Sequence, residues 1–107
     1  MKKTFYTYLL RCADGSIYCG YTTDIDRRMN EHKSNRGSKY VSARKFLRLE
    51  MYIELDDKKY ALRLEYAIKK LKKENKERLI LGDKSVLDDI GIDYVNVVYA
   101  KNSVSDI

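Results

Sequence analysis

Residues 5–32 read FYTYLLRC, ADGS, IYCGYT, TDIDRRMNEH, and the fold is decided here. Two runs rich in Tyr, Leu and Ile, Phe5 to Arg11 and Ile17 to Tyr21, flank Ala13-Asp14-Gly15-Ser16. An Asp-Gly pair between two such runs signals a tight hairpin, because glycine adopts the positive φ that the turn demands. The chain therefore opens as two antiparallel strands. The hydroxyl of Thr23 then precedes Asp24, Ile25 and Asp26, an N-cap followed by acidic residues that suit the positive end of a helix dipole. This spacing predicts a helix over 24–33. Ile25 and Met29 form a thin apolar side, while Arg28 and His32, also one turn apart, share a row that can act on one ligand.

Moving outward, Ser34 to Lys45 has no apolar period and carries Arg36, Lys39, Arg44 and Lys45 around Gly37 and Tyr40, which reads as a mobile basic loop. Phe46 to Leu55 alternates, and Leu47, Leu49, Met51, Ile53 and Leu55 are expected to share the apolar face of a third strand. A long helix begins after Asp57 with Ala61, Leu64, Ile68 and Leu71 as its core stripe. Glu65 lies on the edge of that stripe, with a part-buried carboxylate expected and Arg63 or Lys69 within pairing reach. The run Lys69, Lys70, Lys72, Lys73 reads as a solvated face. Arg78 to Leu81 suggests a short helix ended by Gly82, without a good N-cap near Lys73; Ser85 to Ile90 suggests another, stopped by Gly91. Ile92 to Tyr99 looks like a further strand. The expected architecture is α+β: a small three-stranded antiparallel sheet flanked by helices, a ββαβα core plus a short helix, with a C-terminal helix and strand extension.

The chain has 107 residues, enough for one domain, and 44% of them are hydrophobic. Residues 1–82 form the body and 83–107 an extension, expected to pack on the same domain with Val95, Val97 and Tyr99 covering an open edge. Two cysteines, Cys12 and Cys19, supply neither a disulfide framework nor a four-ligand zinc site, and reduced thiols in a cytoplasmic protein are expected. No apolar stretch approaches the ~20 residues of a membrane span, so no membrane association is expected. The body holds 20 of the 22 Lys and Arg but 11 of the 16 Asp and Glu, leaving the extension acidic. A basic body points to a polyanionic partner, most often nucleic acid.

Tyr8 and Tyr18 lie on adjacent strands, where a suitable register brings both phenols to one face. Singly, each is an ordinary strand residue, Arg28 and His32 an ordinary solvated row, and Glu65 an ordinary boundary carboxylate. The ordered set carries more: Tyr6-Thr7-Tyr8, Tyr18-Cys19-Gly20, Thr22 to Arg28 with Glu31-His32, and Ala61 to Glu65 on the next long helix. This series resembles the GIY-YIG nuclease superfamily over about residues 4 to 81, with the first signature tripeptide reduced to Tyr8. It is most similar to the small stand-alone branch and to catalytic domains of structure-specific nuclease subunits.

The resemblance implies a divalent-metal-dependent DNA endonuclease with residues 1–82 as the catalytic domain. It implies Glu65 as the ligand of one Mg2+ or Mn2+ ion, a single carboxylate being adequate for a cation that keeps its waters. It implies Arg28 as the phosphate clamp, whose guanidinium fits phosphate bidentately. Tyr8 and Tyr18 are implied to take or orient the proton of the attacking water, with His32 a further acceptor, and the choice among the three stays open. Contacts to substrate are expected from Arg11, Arg27, Lys33, Arg36, Lys39, Arg44 and Lys45, with Tyr40 stacking on a base. Branched or single-stranded DNA, low sequence preference and a protein partner supplying specificity are expected. The alternatives are a non-catalytic nucleic-acid-binding module of this fold and a protein-interaction domain.

Overall fold

A computed structural model describes residues 3–100; the expected extension beyond Ala100 lies outside the described residues. Strands β1 (Phe5–Cys12) and β2 (Ile17–Thr22) form the expected hairpin, with Arg11 opposite Ile17 and Gly15 at φ 87° in the turn. Helix α1 (Ile25–Lys33) is capped by Asp24, not Thr23. Asp24 is extended and its carboxylate accepts from the Arg27 amide at 3.0 Å, a reach that the exposed Thr23, one position earlier, does not have.

The region expected to be a mobile loop contains helix α2 (Lys39–Arg44), capped by Ser38 and pinned by the buried Val41. One apolar anchor in six residues leaves no period to read. Strand β3 (Phe46–Leu55) follows, but its alternation breaks: Leu9 pairs with Met51 whereas Leu10 pairs with Leu49, leaving Glu50 as the extra residue of a β-bulge. Met51, Ile53 and Leu55 therefore share a face, Leu49 packs on the opposite one, and Leu47 is 51% exposed. The expected single apolar face is corrected accordingly.

Helix α3 (Lys58–Lys69), capped by Asp57, buries Ala61, Leu64 and Ile68. Thr7 Oγ1 donates to the Ala61 carbonyl at 2.7 Å and pins the helix to β1. Helix α4 (Lys73–Ile80) begins a turn earlier than expected and has no side-chain cap, and α5 (Ser85–Ile90) ends at Gly91 in the left-handed region at φ 78°. Strand β4 (Asn96–Tyr99) pairs antiparallel with β3. The sheet thus has four strands in the order β2-β1-β3-β4, a correction to the expected three. The α+β class stands. Val97 and Tyr99 pack against the core, and the Tyr99 hydroxyl donates to the Leu79 carbonyl at 3.0 Å. Val95, expected to help, is exposed.

The two sheet faces carry separate cores. One, around Leu9, Cys19, Met51, Ile53, Leu64 and Leu79, is covered by α3, α4 and α5; the other, around Tyr8, Leu10, Cys12, Met29 and Val41, by α1 and α2. Among the described residues no helix is long and apolar enough to cross a membrane.

Arg11, expected at the DNA surface, points to the first of these faces. Its guanidinium donates to Glu77 at 2.6 and 2.7 Å and to Glu50 at 2.9 Å, tying α4 to β1 and to the bulge. Removing one partner of a buried charge cluster costs more than the cluster contributes, because the remaining charges stay desolvated. Arg11→Ala should lower unfolding stability by about 3 kcal/mol in urea titrations, while the salt dependence of DNA binding stays unchanged.

Candidate active site

The site grows from the centre of β1. Tyr8 is fully buried, and its register partner on β2 is Gly20. A Cβ at position 20 would overlap the Tyr8 phenol, so the glycine of Tyr18-Cys19-Gly20 makes the room in which that ring lies. Arg28 Nε donates to the Tyr8 hydroxyl at 3.3 Å, and His32 Nε2 lies 2.8 Å from the same oxygen. The i, i+4 spacing on α1 brings both side chains down onto one phenol.

Tyr18, part-buried, extends the cluster outward. Its ring centroid is 6.3 Å from Tyr8, 5.7 Å from His32 and 5.6 Å from Tyr40, and the Arg44 guanidinium lies 3.9 Å over Tyr40. Both neighbours of Tyr40 are protein groups, so a stacking base would replace Arg44. Arg44 also pairs with Asp14 at 3.4 Å. Arg28 is braced by Glu31 at 3.0 Å.

His32 is buried, stacks on Phe46 with rings 4° from parallel, and is covered by Gly37, where a Cβ would overlap Nδ1. That nitrogen has no hydrogen-bond partner among the described residues. Burial first, and then the nearby Arg28 charge, push the imidazole pKa down to about 4 against an opposing pull from Glu31. Burial likewise pushes the Tyr8 phenol up, while the Arg28 hydrogen bond and charge oppose it.

Glu65 occupies a different position. It rides on α3, over the other face of the sheet, where Cys19 Sγ contacts its carbonyl at 3.9 Å. Its side chain is 19% exposed and pairs with Lys69 at 3.3 Å. The Lys69 ammonium in turn sits 5.5 Å over the Tyr18 ring. The structure therefore gathers Tyr8, Tyr18, Arg28 and His32 in direct contact, and joins Glu65 to them across the β2 edge through Lys69.

Among the described residues no three His, Cys, Asp or Glu cluster as a metal site. A single part-exposed carboxylate nevertheless suits a hard cation that takes one or two carboxylates and completes its shell with water and phosphate. Arg27, Lys33, Arg36, Lys39 and Lys45 are exposed around α1 and α2, whereas Arg11 is withdrawn to the other face. Sequence reasoning missed Gly37 and Phe46, whose roles depend on a fold that closes over His32. It read Lys69 as part of a solvated lysine run and as a pairing option for Glu65, at the i+4 spacing that is the available signal.

Residues 4–78 match the family model of the GIY-YIG catalytic domain, and the chain belongs to that family. A nuclease-type function follows from this membership. The chain is 45% identical over 75 residues to UPF0213 protein BH0048 of Halalkalibacterium halodurans, covering 70% of this chain and 80% of that protein. It is 39% identical over 83 residues to UPF0213 protein YE0453 of Yersinia enterocolitica, covering 78% and 86%. The solution NMR structure of UPF0213 protein BH0048 from Bacillus halodurans aligns with a TM-score of 0.48 at 38% identity, over 84% of this chain and 99% of that one.

The depressed imidazole pKa has a sign that can be checked. Below 6.5 the unfolded chain binds a proton that the native His32 refuses until about pH 4, so stability falls as pH drops through this window. Glu77, Asp14 and Asp83 are held below their usual carboxylate range by hydrogen bonds, so their contribution is lost only at lower pH. Urea titrations should show about 3 kcal/mol lost to His32 on acidification through this window, and His32→Phe should remove that part of the pH dependence.

Proposed function

We propose that the protein is a divalent-metal-dependent DNA endonuclease that hydrolyses phosphodiester bonds in branched or single-stranded DNA, with low sequence preference and a protein partner supplying specificity. The observation that carries this reading is the Tyr8 oxygen held between Arg28 Nε and His32 Nε2 within the family-matched region.

Hydrogen-bond accounting supports the following roles. A buried N–H without an acceptor is rarer in proteins than an unpaired acceptor, so the bare Nδ1 under Gly37 is best left unprotonated. With Tyr8 ionised, His32 carries its proton on Nε2 and donates it to the phenolate. The phenolate oxygen then receives two N–H donors, Arg28 Nε and His32 Nε2. Two donors aimed at one oxygen favour the phenolate, which makes Tyr8 the general base and His32 a positioning donor. Burial opposes ionisation, so the phenolate is scarce at neutral pH. Tyr18 lines the approach to Tyr8, and Arg28, part-exposed, presents guanidinium surface to the phosphate. A Mg2+ or Mn2+ ion at Glu65 would supply charge neutralisation for the phosphate oxygens in the transition state. Arg27, Lys33, Arg36, Lys39, Arg44 and Lys45 flank this site as contacts for the DNA backbone.

The test is cleavage of a panel of duplex, flap and single-stranded DNAs by the purified protein in Mn2+ and in EDTA. Cleavage should require the ion and should fall at least ~100-fold in Arg28→Ala and Glu65→Gln with DNA binding retained. The rate should rise about tenfold per pH unit above neutrality, because the base titrates above the usual phenol range. His32→Gln, which keeps an N–H donor, should retain more activity than His32→Phe. Binding without cleavage in any ion would instead support a non-catalytic module.

A further inference from the structure

We propose that the outer face of α3 is a second DNA-binding tract, which grips the backbone of the same substrate beyond the point of cleavage; this rests on the nuclease reading above. Lys59, Arg63, Tyr66 and Lys70 recur at i, i+4, i+7 and i+11, on the side of the helix opposite the buried stripe Ala61, Leu64 and Ile68. Tyr66 is 62% exposed, and the Lys70 ammonium lies 4.3 Å over its ring.

Charge balance separates this face from an ordinary solvated one. Solvated helix faces interleave both signs, whereas this face carries Lys59, Arg63 and Lys70 with no carboxylate among them, and the helix's one carboxylate, Glu65, is paired with Lys69. Lys59 and Arg63, one turn apart, repel each other, and like pairs at this spacing weaken a helix. Each also lies 5.9 Å over the Tyr60 ring, which offsets part of that repulsion within the fold, and a polyanion would neutralise both charges. Protein interfaces are depleted of lysine at their centres, so this face is a poor fit for a protein partner. An exposed tyrosine among cations is the combination that holds a nucleic-acid backbone and stacks on its bases.

The tract also runs to the right place. Lys69, next to Lys70 in the chain, lies 3.3 Å from Glu65 and 5.5 Å over the Tyr18 ring, so the C-terminal end of α3, where the tract ends, meets the candidate site at the β2 edge. From the other face of the sheet α2 reaches the same edge, with the Tyr40 ring 5.6 Å from Tyr18 and the Arg44 guanidinium over Tyr40. Cleavage would then occur at a rim between two basic surfaces, an arrangement suited to a DNA that changes direction there.

The decisive measurement uses the full-length protein and fluorescein-labelled flap DNA, with anisotropy recorded in EDTA across a range of salt. The triple variant Lys59→Gln, Arg63→Gln, Lys70→Gln should lower the slope of log affinity against log salt by about 2 to 3, at roughly 0.9 per phosphate contact. Flap affinity should fall at least tenfold, a short single-stranded oligonucleotide should bind as before, and Tm should not decrease. Should the triple variant fail to fold, Lys70→Gln alone should lower the slope by about 0.9. An unchanged slope and flap affinity would overturn the proposal. Because EDTA silences cleavage, wild-type protein that never cuts in Mn2+ would sink the nuclease reading while the slope still reports on the tract.

Discussion

The burial of one phenol oxygen constrains the rest of the molecule. Tyr8 sits in the central pair of strands with no solvent exposure, and an unpaired hydroxyl there would cost on the order of 1–3 kcal/mol. Arg28 and His32 satisfy it, and in doing so they fix how α1 lies on the sheet. This explains a helix whose apolar side is only Ile25 and Met29: polar contacts to a buried oxygen supplement hydrophobic ones. The two glycines follow from the same demand. Gly20 leaves space for the ring, and Gly37 lets the chain close over the imidazole.

Strand parity then divides the labour. Tyr8, Leu10 and Cys12 point to the face under α1 and α2, while Leu9 and Arg11 point to the face under α3 and α4. A residue one position from Tyr8 thus serves a different purpose. The bulge at Glu50 is what lets Arg11 find a carboxylate on β3 while Leu49 crosses to the Tyr8 side. Membership of the GIY-YIG family and this two-faced sheet are consistent, since the family match spans β1 through most of α4.

Much of this was legible in the sequence where local rules operate. The Asp14-Gly15 turn, the Arg28 to His32 spacing, the Ala61, Leu64, Ile68 stripe and Gly91 as a stop all express short-range geometry, and each falls in the expected element. The misses share a cause, because each depends on a partner distant in the chain. Whether Asn96–Tyr99 joins the sheet depends on a free edge of β3. The bulge depends on register against β1, and Arg11 is claimed by Glu77, 66 residues away. The coupling of Tyr8 to His32 was readable only as a shared helix row, and its consequence, an imidazole held near pKa 4, needed the burial that only the fold provides.

Glu65 stands apart from the phenol cluster, and this separation makes physical sense. A carboxylate in contact with Tyr8 would disfavour the phenolate, since a like charge nearby raises an acid's pKa. On α3, across the β2 edge, its charge stays away from the Tyr8 hydroxyl, which Arg28 and His32 contact. Lys69 meanwhile neutralises it, but half-exposed helix pairs at i, i+4 contribute only about 0.3–0.5 kcal/mol. A divalent cation attracts the same carboxylate with twice the charge, so the ammonium is a weak competitor. Displaced, Lys69 would still lie beside the Tyr18 ring at the mouth of the site. On the proposed reading, one side chain keeps this carboxylate paired without an ion and would remain beside the Tyr18 ring with one.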